Sequence, residues 1–144
     1  MDITIHSRLV SSLEKVFPGK QPEELKTPVT LLQNDFTAYQ IAVRPDCESI
    51  RILGEADVES PIADCITIRQ VEQVPVRLAA PSVRDGDWLS GEAGMYPDLL
   101  QPPCQNGQYV LYDHQWNSFW IGIETKKDTP AGTWPVTVRI RLSL

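Results

Sequence analysis

Basic residues are few and scattered. The 13 Lys and Arg never form a run longer than Lys126-Lys127, and 19 Asp and Glu leave a net charge of −6. Binding to a phosphate backbone needs a basic face, so no nucleic acid and no anionic membrane surface is expected as a partner. No apolar run approaches the roughly 20 residues that span a bilayer. The opening Met1-Asp2-Ile3-Thr4-Ile5-His6-Ser7 lacks the basic region and apolar stretch of a signal peptide. The expected location is therefore the cytoplasm, with secretion the alternative if a leader has been removed. Cysteine is sparse: Cys47, Cys65 and Cys104 are odd in number and form no CxxC. Neither a disulfide framework nor a zinc site is expected, and the three read as reduced thiols. The only histidines, His6 and His114, lie in separate segments without HxH or HExxH spacing. No metal is expected. No glycine-rich loop opens a helix to cradle phosphate, and no cofactor is expected.

What is present suits one globular domain. The chain has 144 residues, 42% of them apolar and 22% charged, enough to bury a core without staples. Twelve Pro and 8 Gly argue against a helical bundle, because both interrupt helices. Period-2 alternation dominates instead. Ile3 and Ile5 open a strand with one wet face, on which His6 reads as an ordinary surface residue. Val29 to Leu32 is a short β-prone run, Asn34-Asp35 a turn, and Phe36 to Arg44 a strand with Tyr39, Ile41 and Val43 on one face. Ile50 and Ile52 mark a further short strand, and Cys65 to Val76 alternates again. Phe119, Ile121 and Ile123 share one face, while Trp120, Gly122 and Glu124 take the other. After the turn Asp128-Thr129-Pro130-Ala131-Gly132, the last strand places Trp134, Val136, Val138, Ile140 and Leu142 together. One helical turn is expected, capped by Ser11 or Ser12, running through Leu13-Glu14-Lys15 and ended by Pro18-Gly19. The expected fold is an all-β antiparallel sandwich, immunoglobulin-like or jelly-roll-like, occupying residues 1–144 as one domain.

One stretch departs from this pattern. Ala79 to Gln108 carries Pro81, Pro97, Pro102 and Pro103 with Gly86, Gly91, Gly94 and Gly107, and it reads as a long loop without a strand. It also holds Trp88, Met95, Tyr96, Leu99 and Leu100, too much apolar surface for a solvated linker. Such a loop either covers an open end of its own sandwich or meets a second domain or ligand.

Catalytic signatures are sparse. Asp113-His114 precedes Trp116 in a polar stretch that suits a turn or a site, but no GxSxG elbow or cysteine motif accompanies it. The acids Asp35, Asp85, Asp87, Asp98 and Asp113 each lie in a turn-like setting, and spacing alone pairs no two of them across a substrate. Four indoles carry the remaining weight. Trp134 is in phase with Val136 and Val138 and reads as core, whereas Trp120 is out of phase with Ile121 and Ile123. Trp88, Tyr96, Trp116 and Trp120 are the candidate residues for ligand or interdomain contact.

Three stretches, taken in order, carry a family resemblance. They are Leu31-Leu32-Gln33-Asn34-Asp35-Phe36-Thr37-Ala38-Tyr39-Gln40-Ile41-Ala42-Val43-Arg44-Pro45, then Met95-Tyr96-Pro97-Asp98-Leu99-Leu100-Gln101-Pro102, and finally Phe119-Trp120-Ile121-Gly122-Ile123 through Lys127-Asp128-Thr129-Pro130-Ala131-Gly132-Thr133-Trp134. With Ser12-Leu13-Glu14-Lys15-Val16-Phe17-Pro18, the set resembles the N-terminal β-sandwich domain of large bacterial proteins related to family 123 glycoside hydrolases, which include β-N-acetylgalactosaminidases. The resemblance implies a sandwich that precedes a (β/α)₈ barrel, with the paired catalytic acids in that barrel. No catalytic position carries over to this chain. The resulting expectation is a non-catalytic accessory module, the N-terminal part of a longer protein, that packs against a downstream catalytic-type domain in cis. The alternative is a stand-alone carbohydrate-binding module that uses exposed aromatics, and a third reading is a small enzyme built on Asp113-His114.

Overall fold

The alternation seen in the sequence becomes eight strands in the computed structural model, which describes residues 3–49, 51–79, 90–104 and 106–144. In chain order they are β1 (Thr4–Ser11), β2 (Phe36–Asp46), β3 (Ile52–Glu59), β4 (Ile66–Val76), β5 (Gly94–Gln101), β6 (Tyr109–Leu111), β7 (Asn117–Glu124) and β8 (Thr137–Ser143). A 3₁₀ turn at Ala63–Cys65 precedes β4. The strands form two antiparallel sheets, ordered β1-β2-β7-β4-β5 and β6-β3-β8. The architecture is an all-β sandwich. No helix among the described residues is long and apolar enough to cross a membrane.

The core lies between the sheets. Tyr39 and Val43 of β2, Phe119, Ile121 and Ile123 of β7, and Ile66 of β4 face Ile52, Tyr109 and Leu111 of the smaller sheet. Phe119 is wholly buried and meets Tyr109 edge-on, ring centres 5.2 Å apart. Burying a side chain of this size contributes about 2–3 kcal/mol. Across β3 and β8, Gly54 pairs with Leu142, Ala56 with Ile140 and Val58 with Val138, which completes the apolar layer. The intervening Glu55, Asp57 and Glu59 form solvent-exposed ion pairs with Arg139 and Arg141 on the outer face, the closest contact being Arg141 to Asp57 at 2.8 Å.

Several boundaries differ from those read in the sequence. The stretch from Ala79 to Gln108 is not strand-free, because β5 runs through it beside β4. Pro97 hid this strand. It can sit there because β5 is an edge strand, where a missing N–H costs no ladder bond. Register shifts between Glu72 and Gln73, which face Leu99 and Pro97, so Asp98 is the extra residue of a bulge. Residues 80–89, with Trp88, lie outside the described residues, as does Ile50. Val29 to Leu32 forms no strand; Val29 and Leu31 pack irregularly against the core. Cys65 belongs to the 3₁₀ turn, and β4 starts at Ile66. The last strand starts at Thr137 rather than Trp134, although Trp134 and Val136 still pack against the core. The segment after Ser11 makes one turn, in which Leu13 N–H donates to Ser11 Oγ and Glu14 N–H to Ser11 O.

Gly54 marks the tightest approach within the smaller sheet. A Cβ there would lie 2.6 Å from Leu111 Cδ1, so the fully buried Leu111 would have to shift within the packed core. We predict that Gly54→Ala destabilises the fold by about 1–3 kcal/mol, measured as a lower urea midpoint with an unchanged slope.

Candidate functional site

The outer face of the five-stranded sheet is partly roofed, and Gln40 explains how. Ala38, Gln40 and Ala42 point outward from β2, and the small alanines let another chain segment approach closely. Gln40 is 3% exposed, yet its polar atoms are matched. Its amide donates to Ser11 O at 2.9 Å and Glu14 O at 2.7 Å, and its carbonyl accepts from Ser118 Oγ at 2.9 Å. These bonds hold the segment that follows β1 across the sheet. Beneath that segment Val10, Val16, Ala42 and Trp116 form a second, smaller core. Trp116 is only 5% exposed, and its backbone N–H donates to Pro18 O at 2.9 Å. Its indole is therefore packed inside, not presented as a stacking platform.

Trp120 stands beside this roof. In register it neighbours Gln40 on β2 and Arg69 on β4, and its side chain is half-buried. It borders a hollow of about 140 Å³ with Ser12, Lys15, Pro97, Asp98 and Leu100. The bulge aims Asp98 at Lys15, with which it forms an ion pair. Asp98 also borders a second hollow, of about 240 Å³, that includes Glu92 and Tyr96. Tyr96 is half-buried; its hydroxyl donates to Glu92 O at 2.7 Å and its ring meets Phe17 edge-on at 5.8 Å. The structure thus places Tyr96 and Trp120 on either side of Asp98, buries Trp116, and leaves Trp88 outside the described residues.

A second constellation lies at the end of the sandwich where β1 begins and β2 ends. Asp46 receives Arg44 Nε at 3.0 Å, His114 Nδ1 at 3.0 Å and His6 Nε2 at 3.3 Å. The Arg44 guanidinium holds the Asp46 carboxyl below the usual range; burial opposes this and His114 adds to it. Asp113 lies alongside. Its oxygens accept backbone N–H groups from Cys47 at 3.0 Å and Ser49 at 2.9 Å, which pins the chain between β2 and β3. Burial pushes the Asp113 carboxyl up, but those N–H bonds and nearby His114 outweigh it, so the net direction is down. His114 adopts φ of 55°, a left-handed turn conformation in which short polar and histidine side chains are enriched. Asp113-His114 is thus a turn whose carboxylate caps a neighbouring loop. Burial and the Asp113 charge push the Cys47 thiol up, which keeps it protonated and unsuited to nucleophilic attack.

Sequence reasoning missed this meeting of His6 and His114 at Asp46, because spacing along the chain carries no signal for residues joined by the β1–β2 register on one side and by the His114 N–H to Pro45 O bond of the β6–β7 turn on the other. It also missed Gln40. The out-of-phase Ala38-Gln40-Ala42 set was the available sign that the outer face of β2 is covered.

No family model matches the sequence, and none of the curated proteins does. Among solved structures the chain is similar to a family 123 glycoside hydrolase from Clostridium perfringens, known from work on glycolipid glycan hydrolysis. The TM-score is 0.69 at 13% identity, over 97% of this chain and 25% of that enzyme's chain. The likeness is one of fold, and this chain spans a quarter of that enzyme's length.

Two predictions follow from the geometry of Gln40 and Asp113. Gln40→Leu strands the Ser118 hydroxyl and two backbone carbonyls, and should cost about 2–4 kcal/mol in urea unfolding, with protease cleavage appearing first between Ser12 and Pro18. Asp46 and Asp113 have folded values below their unfolded ones, so their stabilisation is present at neutral pH and is lost as pH falls through the folded values, on the acid side of the ordinary Asp range. The urea midpoint should drop across that acid range, and Asp113→Asn should lower the neutral midpoint and flatten the drop.

Proposed function

We propose that this chain is a non-catalytic sandwich module that packs against a glycosidase-type catalytic domain of the same polypeptide and helps to position it. The observation that carries this reading is the extent of the structural likeness. Nearly the whole chain superposes on a quarter of a glycoside hydrolase, so the same sandwich occurs there as one part of a larger enzyme. The contact face we assign is the outer surface of the five-stranded sheet around Trp120, Asp98 and Leu100. The half-buried Trp120 beside Leu100, which is 36% exposed, and Met95, which is 47% exposed, supplies the apolar centre that such interfaces need. The Lys15–Asp98 pair supplies a polar rim.

A second reading is carbohydrate binding in the hollow beside Trp120. It is favoured by the presence there of an indole with the polar side chains of Ser12, Glu14, Lys15 and Asp98. An indole face stacks on a sugar ring while neighbouring polar groups take its hydroxyls.

The catalytic-type domain that the proposal places in the same polypeptide should be expressed separately and mixed with this chain. Association, weakened at least tenfold by Trp120→Ala, supports the module reading. Turnover of aryl N-acetylhexosaminides by this chain alone, or failure of the two polypeptides to associate, overturns it. Indole fluorescence that saturates with a free glycan and is abolished by Trp120→Ala establishes carbohydrate binding instead.

A further inference from the structure

The sandwich end where β1 begins gathers the chain's only two histidines with two carboxylates. No HxH or HExxH spacing announces this set, because three separate segments supply it. His6 comes from β1, Asp46 from the end of β2, and Asp113 and His114 from the turn between β6 and β7. The β1–β2 register sets His6 opposite Arg44, two residues before Asp46. The His114 N–H donates to Pro45 O at 2.8 Å and fixes the turn against β2. One ligand atom each from Asp46, Asp113 and His114 lie within 4.8 Å of one another. His6 Nε2 stands 3.3 Å from Asp46 Oδ2 as a fourth.

Two approaches in this set are longer than ordinary hydrogen bonds, which run about 2.7–3.2 Å. They are His6 Nε2 to Asp46 Oδ2 at 3.3 Å and His114 Nε2 to Asp113 Oδ2 at 3.5 Å. Both are near the edge of a coordination polyhedron, since ligands about 2.0–2.2 Å from a zinc-like ion sit about 3.3 Å apart. His114 is oriented for such a role. Its Nδ1 lies 3.0 Å from Asp46 Oδ1, and donating a proton there leaves Nε2 with a free lone pair. Metal-ligating histidines are held by a carboxylate in this way. In the neutral ring that lone pair faces Asp113 Oδ2, acceptor against acceptor, a contact that a cation would reverse.

The carboxylates are preset and the imidazoles are accessible. Asp113, its side chain 9% exposed, is held by the Cys47 and Ser49 N–H groups, and Asp46 by Arg44 Nε. The His6 and His114 side chains are 52% and 57% exposed, so an ion can enter and the rings can turn to it. Two carboxylates against one guanidinium leave a net negative charge, which favours a cation. We propose that His114, Asp113 and Asp46, with His6 as a fourth ligand, form a binding site for a divalent transition-metal ion of the zinc class. Imidazole with carboxylate suits such ions, whereas calcium and magnesium take oxygen ligands alone. None of these residues belongs to the contact face assigned around Trp120, so the two proposals stand or fall separately.

The test titrates this chain with Zn²⁺ at neutral pH in a non-chelating buffer, by calorimetry and by NMR of the two imidazoles. One equivalent should bind with a micromolar dissociation constant, shift both imidazole signals, and raise the urea midpoint as free zinc increases. Calcium at about 1 mM should not displace it. His114→Asn keeps a residue type suited to φ of 55° and should weaken zinc binding at least tenfold without loss of fold. His6→Gln, at an exposed strand position, should weaken it about three- to tenfold. No saturable binding up to about 1 mM zinc leaves only a network of ion pairs and overturns the proposal. Affinity unchanged in either variant, or displacement by equimolar calcium, overturns it as well.

Discussion

The contact between Phe119 and Tyr109 joins the two sheets, and the rest of the sandwich is arranged around it. Phe119 lies on β7, the middle strand of the larger sheet, so its position depends on β2 and β4 pairing correctly on either side. Tyr109 lies on the three-residue β6, which by itself has too few ladder bonds to persist. The ring contact and the bond from Tyr109 Oη to Ile68 O tie β6 to the opposite sheet. A one-residue slip of β7 would turn Phe119 outward and replace it with Ser118 or Trp120.

β7, like β2, has both faces occupied. Its inner residues fill the core, and Ser118 on the other side accepts a structural task by bonding Gln40. A single buried amide thereby couples the central strands to the segment after β1, and that segment shapes the hollow beside Trp120. The candidate contact face is therefore built from the same strand that organises the core. Changes at Gln40 act on the face without touching it.

The comparison with a family 123 glycoside hydrolase gives this arrangement a context. At 13% identity the common element is the sandwich, which covers a quarter of that enzyme. A sandwich of this kind has two apolar surfaces to account for. One is the inter-sheet core. The other is the outer sheet face, which here is only partly roofed by the chain's own Ser12–Pro18 segment and leaves Trp120 and Leu100 accessible beside it.

The all-β character, the strands β1, β2, β4 and β7, and the inward sets Tyr39-Ile41-Val43 and Phe119-Ile121-Ile123 were legible from alternation, because period 2 is a local property of a half-buried strand. β5 was hidden, since Pro97 and the Asp98 bulge break the pattern that edge pairing tolerates. The sites were hardly legible. Trp116 and Trp120 looked alike along the chain, yet one is sealed under a folded-back segment and the other stands beside it. His6 and His114 meet at Asp46 only in the folded chain, one through the β1–β2 register and the other through the β6–β7 turn. The sequence by itself determined which residues face inward, because alternation needs only neighbours along one strand. Tertiary structure alone decided which faces are covered and where a cavity stays open, because covering a face requires a segment distant in the chain.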